Sequence, residues 1–211
     1  MPNTELTKRY KKFRAESYPE LRDLYERLAT EGQTPQVLMI SCCDSRVNPD
    51  QILSAEPGEL FMVRNIANMV PPYTPDDAHH GTASAIEFAV RFLEVGHIMI
   101  MGHAKCGGIQ ALYDGVDSLG KKSDFIHNWV EQGETAKARV LKNNNDCSRE
   151  DQLIALEQAN IQLGLENLLT YPWLKERVDA GKLQLYGLRF DIGNATLTEF
   201  DPKSNKFEPI K

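Results

Sequence analysis

Cys42, Asp44 and Arg46 occupy alternate positions of one short segment, Ser41-Cys42-Cys43-Asp44-Ser45-Arg46. A second segment, Gly102-His103-Ala104-Lys105-Cys106-Gly107-Gly108, holds a histidine and a cysteine three residues apart. In an extended chain side chains alternate, so Cys42, Asp44 and Arg46 share a face, and Cys43 and Ser45 point the other way. Cys42 then lies beside Asp44, and the planar fork of Arg46 can clamp that carboxylate. Cys43 is expected to face the core or a neighbouring element, and its divergence from Cys42 argues against a disulfide between them. His103 and Cys106, in a tight turn, are close enough to share one metal. Cys106 also sits near a helix N-terminus, whose dipole and free amides favour a thiolate. Two thiolates and one imidazole suit zinc, and three protein ligands leave the open position of a catalytic site. A structural zinc site would usually add a fourth Cys or His, and Cys147 lies far along the chain in a polar loop. Taken singly, a buried cysteine is an ordinary small hydrophobe and a histidine an ordinary core residue. The combination, with a carboxylate and an arginine beside it, points to a metal.

These segments need strand ends to hold them. Val37-Leu38-Met39-Ile40-Ser41-Cys42 is a nearly continuous apolar run, the signature of a strand buried on both faces. Leu60–Val63 and His97–Met101 read as two more strands, with a helix over Thr82–Leu93 between them. Both metal-competent segments therefore follow buried strands, where open parallel sheets leave a crevice for ligands. Upstream, the pattern predicts two helices. The first covers about residues 4–16, and Ser17 with Glu20 forms a capping-box pattern around Pro19 for the second. Asn48-Pro49 begins a short helix and Gly107 a further one. Ser123 and Ser148 are candidate N-caps of two longer helices, separated by the polar loop 143–146. A strand over Leu183–Phe190 and the turn Ile192-Gly193-Asn194 predict a closing hairpin to Leu197–Phe200. The expected fold class is α/β: a mainly parallel central β-sheet with an antiparallel edge strand, flanked by helices, with an N-terminal helical arm. Residues 1–211 are expected to form one domain, with 1–30 as the arm.

Composition narrows the partners. The chain has 211 residues and a formal net charge of −6, which argues against a nucleic-acid footprint. The basic cluster Lys8, Arg9, Lys11, Lys12 and Arg14 is interleaved with Leu6, Tyr10 and Phe13, as in an amphipathic helix with a solvated basic face. No apolar run approaches the ~20 residues of a membrane span. The opening residues lack the apolar middle of a secretory signal, so a cytoplasmic location is expected. There the four cysteines serve metal binding or catalysis better than disulfides. His97 and His127 read as a strand start and a surface-helix residue. His79 and His80 precede the helix at Thr82, where a proton relay is conceivable. Trp129 and Trp173 read as packing residues.

Cys-x-Asp-x-Arg at 42, 44 and 46, followed by His-x-x-Cys-Gly-Gly from 103, resembles the β-class carbonic anhydrases. The likeness continues through Pro57-Gly58-Glu59, Arg64-Asn65-Ile66-Ala67-Asn68, Pro71-Pro72-Tyr73, Gly81-Thr82 and Ile86-Glu87-Phe88. It is close over about residues 31–115 and looser from Tyr186 to Phe200. The resemblance implies a lyase that reversibly hydrates carbon dioxide to bicarbonate. Zinc would be held by Cys42, His103 and Cys106, with a water or hydroxide in the fourth position. Asp44 would orient that water and Arg46 would keep Asp44 ionised and off the metal. Gln33 would hydrogen-bond a substrate oxygen with the Gly107 amide nearby, and Phe61, Ile66 and Phe88 would line the apolar pocket. Phe88 stands where relatives can carry tyrosine, and Cys43 where a small non-thiol residue is common. The family also implies a homodimer or dimer-based higher oligomer, with the N-terminal helices laid across a partner and the pocket at the interface. Members that close the site at low pH carry a tryptophan three residues before the first ligand. Met39 is there instead, so Asp44 is expected to pair with Arg46 through two hydrogen bonds. A carbon disulfide or carbonyl sulfide hydrolase would share this fold, and a non-catalytic zinc-binding module would share the ligands. A thiol-redox role for Cys42-Cys43 lacks the Cys-x-x-Cys spacing.

Overall fold

The computed structural model of the chain describes residues 2–76, 78–120 and 122–210. Met1 and Lys211, the ends of the expected domain, lie outside them. The chain opens on α1 (Pro2–Lys12), one wide π-helical turn (Phe13–Ser17) and α2 (Tyr18–Glu31). The expected break at Ser17 is absent. Its backbone is helical and its side chain caps nothing. The wide turn passes the Tyr18 N–H to the Phe13 carbonyl, so the ladder is already displaced where Pro19 contributes no donor. Leu6 and Tyr10 remain 60% and 58% exposed, so this arm keeps its apolar stripe uncovered within one chain.

The sheet has six strands: β1 (Val37–Cys42), β2 (Leu60–Asn65), β3 (His97–His103), β4 (Gln184–Phe190), β5 (Leu197–Asp201) and β6 (Lys206–Pro209). Their order is β2-β1-β3-β4-β5-β6, with the first four parallel and the last two pairs antiparallel. The mainly parallel α/β fold is as expected, but the antiparallel edge holds two strands. The alternation of Lys206-Phe207-Glu208 is too short to have announced β6.

Alternation assigns the two faces. Leu38, Ile40, Ile98 and Ile100 pack on one side under the helices α4 (Gly81–Glu87), α8 (Arg149–Leu168) and α9 (Pro172–Asp179). Met39, Met101 and Leu188 pack on the other with Ile52 and Leu53 of the short helix α3 (Pro49–Leu53). The helix expected over 82–93 is α4 extended by a π-helical turn, Phe88–Phe92. After β3 come α5 (Gly107–Asp114), α6 (Ile126–Val130) and α7 (Glu134–Asn143). The helix expected from Ser123 is interrupted: Ser123 accepts the His127 N–H at 3.0 Å, but a 3-10 turn at Glu131–Gly133 divides α6 from α7. Ser148 does cap α8, accepting the Asp151 N–H at 3.2 Å.

α8 lies tightly on the parallel strands because glycines let it. A Cβ on Gly102 of β3 would come within 2.8 Å of the Ile161 side chain, and one on Gly164 of α8 within 2.8 Å of Ile100. The carboxyl end of β3 is thereby pinned against the middle of α8. No helix among the described residues is long and apolar enough to cross a membrane.

Candidate metal centre

Cys42 is the last residue of β1 and His103 the last of β3, and the two strands are neighbours. Past His103 the chain turns sharply. The Ala104 N–H donates to Phe190 at 2.9 Å, and Lys105 takes a left-handed φ of 56°. Cys106, nearly fully buried, then forms the N-cap of α5. On the other side Arg64 of β2 holds the loop after Cys42 by its backbone, donating to the carbonyls of Cys42, Asp44 and Val47 at 2.8, 2.8 and 2.7 Å.

The outcome brings one ligand atom each from Cys42, His103 and Cys106 within 4.8 Å of one another. The two sulfurs are 3.9 Å apart, close to the ~3.8 Å that two thiolates about 2.3 Å from a tetrahedral zinc require. His103 Nδ1 donates to the Ala104 carbonyl at 3.0 Å, which fixes the tautomer and leaves Nε2 to ligate. Nε2 is buried with no hydrogen-bond partner. A buried orphan nitrogen facing two thiols is the observation that a metal ion satisfies, and the donor set fits zinc.

The electrostatics agree. The hydrogen bond from Cys106 holds the Cys42 thiol down, to about 4, against the opposing effect of burial and with help from His103. The same contact pushes Cys106 up, as does its burial, while the amides of Ile109 and Gly108 at the start of α5 pull it down. A dication in place of the shared proton would leave both sulfurs as thiolates.

Asp44 meets Arg46 as expected. Arg46 Nε donates to Oδ1 at 2.9 Å and Nη2 to Oδ2 at 2.6 Å, and the Arg46 backbone N–H also donates to Oδ1 at 2.9 Å. This Arg46 clamp, against a smaller opposing effect of burial, holds Asp44 far below the usual carboxylate range. Asp44 Oδ2 is 3.8 Å from His103 Nε2, at the edge of the metal position. Arg46 Nη2 reaches the Lys105 carbonyl as well, at 3.1 Å, and so ties the two ligand-bearing loops together.

Not every expected residue joins this cluster. Ile66 does, packing with Cys42 and Cys106, and a Cβ on Gly108 would strike its side chain at 2.7 Å. Gly107 opens α5, with open space where a Cβ would be. Gln33 is exposed in the loop before β1, whereas Cys42 ends that strand, roughly 17 Å on at about 3.3 Å per residue. Phe61 lies beside Leu38, four register positions below Asn65, the partner of Cys42. It stacks on Phe88 at 5.7 Å between centroids, and Phe88 stacks on the exposed Phe92 at 5.6 Å. Within one chain, Gln33, Phe61 and Phe88 are therefore apart from the ligands. Cys43 departs from expectation differently: it is exposed, because the strand ends at Cys42 and, among the described residues, nothing covers the next position.

Sequence reasoning missed the supports of the site. Besides Arg64, Trp129 Nε1 donates to the Ile66 carbonyl at 2.8 Å and Asn160 Nδ2 to the Ala67 carbonyl at 2.9 Å. They hold a turn in which Ala67 and Asn68 both take positive φ. The available signal was Glu157 and Asn160, polar residues on the largely apolar buried face of α8.

A sequence model of the family described as "Carbonic anhydrase" matches residues 37–197. The chain is 40% identical over 195 residues to "Beta carbonic anhydrase 3" of Arabidopsis thaliana, covering 91% of this chain and 75% of that protein. It resembles the solved β-carbonic anhydrase CcaA with a TM-score of 0.92 and 34% identity, over 99% of this chain and 92% of that one. It also resembles a tetrameric β-carbonic anhydrase of Sordaria macrospora, with a TM-score of 0.82 and 27% identity over 94% and 96% of the two chains.

Proposed function

The chain belongs to the β-class carbonic anhydrase family, and from that premise we propose that it interconverts carbon dioxide and bicarbonate with zinc held by Cys42, His103 and Cys106. The observation that carries this reading is the buried, partnerless Nε2 of His103 within 4.8 Å of two cysteine sulfurs. A zinc ion there supplies a Lewis acid that brings the pKa of a water toward neutrality.

The chain's own groups do the rest. Asp44, ionised and doubly held by Arg46, keeps an acceptor oxygen beside the metal position. It would accept a hydrogen bond from a water there and so aim the water's lone pair at the substrate. Arg46 keeps the carboxylate from swinging onto the metal. The Gly107 amide, at the start of α5, would donate to a substrate oxygen, and Ile66 would supply an apolar wall.

Gln33, Phe61 and Phe88 complete the pocket from a partner subunit. Their distance from the ligands within one chain, the uncovered stripe of α1 and the exposed Phe88–Phe92 stack support a homodimer, and the tetrameric relative supports a dimer-based higher assembly. A compartment that keeps thiols reduced, such as the cytoplasm, suits a site built on two free cysteines. Stopped-flow hydration of carbon dioxide, with and without a chelator and paired with metal analysis, tests the proposal. It predicts about one zinc per chain and activity lost with the metal. Carbonyl sulfide turnover exceeding that of carbon dioxide would move the chain to the hydrolase reading.

A further inference from the structure

The turn that joins His103 to Cys106 is held from behind by a charge. Glu157, at mid-length of α8, has a side chain only 5% exposed, and Arg189 of β4 one only 10% exposed. Two N–H groups of Arg189 converge on Glu157 Oε2, Nε at 2.9 Å and Nη2 at 2.8 Å. The backbone amides of Lys105 and Cys106 face the same carboxyl group and favour its charged form, and Ala104, Lys105, Glu157 and Arg189 line one cavity. Arg189 is itself the β-ladder partner of Gly102, next to the ligand His103. The pair thus bridges helix, sheet and metal turn at one point.

We propose that Glu157, held by Arg189, is a positioning residue that sets His103 and Cys106 at their ligating geometry. Buried ion pairs are poor stabilisers, and two apolar side chains of similar volume would pack this space as well. What an apolar pair cannot do is accept the Lys105 and Cys106 amides. Those amides bracket a lysine in the left-handed region, a conformation that needs support from its surroundings. In Glu157→Gln one carboxylate oxygen becomes an NH2 donor, so the two amides and Arg189 compete for the remaining oxygen; the turn is then free to relax, and the Sγ of Cys106 moves relative to Nε2 of His103. Asn160, one turn along α8 from Glu157, bonds the Ala67 carbonyl on the far side of the cluster, so one helix face references both walls of the site.

The inference rests on the zinc reading above, and the test keeps the two separate. Zinc affinity is measured by chelator competition, and the cobalt(II)-substituted protein by its ligand-field and thiolate charge-transfer bands, all below each variant's unfolding temperature. Glu157→Gln is expected to bind zinc about 10- to 100-fold more weakly and to shift the cobalt bands, with Arg189→Lys between it and the wild type. Gln152→Met is the control. That buried glutamine of α8 bonds Tyr113 and the Asn144 carbonyl, away from the turn, so its loss should lower stability and leave zinc affinity and spectrum unchanged. A folded Glu157→Gln protein with wild-type affinity and spectrum overturns the proposal, as does a control that weakens zinc equally. If Glu157→Gln does not fold, Arg189→Lys decides by the same two readings. Failure of the wild type to bind zinc would instead sink the metal reading itself.

Discussion

Asp44 accepts two side-chain hydrogen bonds and one backbone hydrogen bond from a single arginine, and that leaves it a pure acceptor beside the metal position. Asp44→Asn keeps the shape but turns half of the group into a donor, and its clash with Arg46 loosens the clamp. Zinc content is expected to stay near the wild-type value while turnover falls by roughly 10²-fold. Metal analysis beside stopped-flow rates checks both halves, and wild-type turnover would remove the carboxylate from the mechanism. Cys43 poses the complementary case. Its thiol is exposed while those of Cys42 and Cys106 are buried together. Cys43→Ser should therefore retain zinc, and Cys42→Ala should lose it. Zinc loss in Cys43→Ser would mean the wrong thiol has been assigned.

At the scale of elements, the contact of α8 with β3 decides where His103 sits. Gly102→Ala would push a methyl into Ile161, at a cost of about 1–3 kcal/mol for an overpacked core. Shortening the neighbour in Gly102→Ala/Ile161→Val should recover part of that loss, because the offending contact is with the Cδ1 methyl. Urea unfolding of the two variants reads the difference. The start of α9 carries a second testable contact. Tyr171 is 2% exposed, donates to the Pro71 carbonyl at 3.1 Å, and is pushed up to about 12 by burial. A raised folded-state pKa contributes stability that is complete below the unfolded value of about 10. It is lost as pH rises through 12. The wild type should lose about 2 kcal/mol to this group between pH 9 and 12, and Tyr171→Phe correspondingly less. Equal alkaline losses in the two proteins would refute the assignment.

The whole molecule has to explain why Gln33 and Cys42 lie at opposite ends of β1. If each site takes its ligands from one subunit and Gln33 from the other, two crippled proteins can repair each other. In a dimer of Cys42→Ala with Gln33→Ala, one site carries both defects and the other carries neither. Random reassortment should then restore up to about a quarter of wild-type sites. Hydration activity after mixing and reassociation measures this, with light scattering to confirm the assembly. No recovery despite mixed dimers would place Gln33 outside the partner's pocket.

Much of this was legible without coordinates. Cys42, His103 and Cys106, with Asp44 clamped by Arg46, follow from residue type, spacing and the apolar runs Val37–Cys42 and His97–Met101, because strand alternation and turn geometry act over only a few residues. Local capping rules misjudged Ser17, since one displaced hydrogen bond lets a helix continue where propensity expects a stop. Side-chain alternation misjudged Cys43, because it says nothing of where the strand ends and solvent begins. The tertiary structure alone decided the rest. Glu157 meets the Lys105–Cys106 turn, and Arg189 meets Glu157, across 32 residues and more of intervening chain. Contacts at that separation depend on how α8 docks on the sheet, and docking is set by total packing, through Gly102, Gly164 and Ile161, which no local pattern encodes.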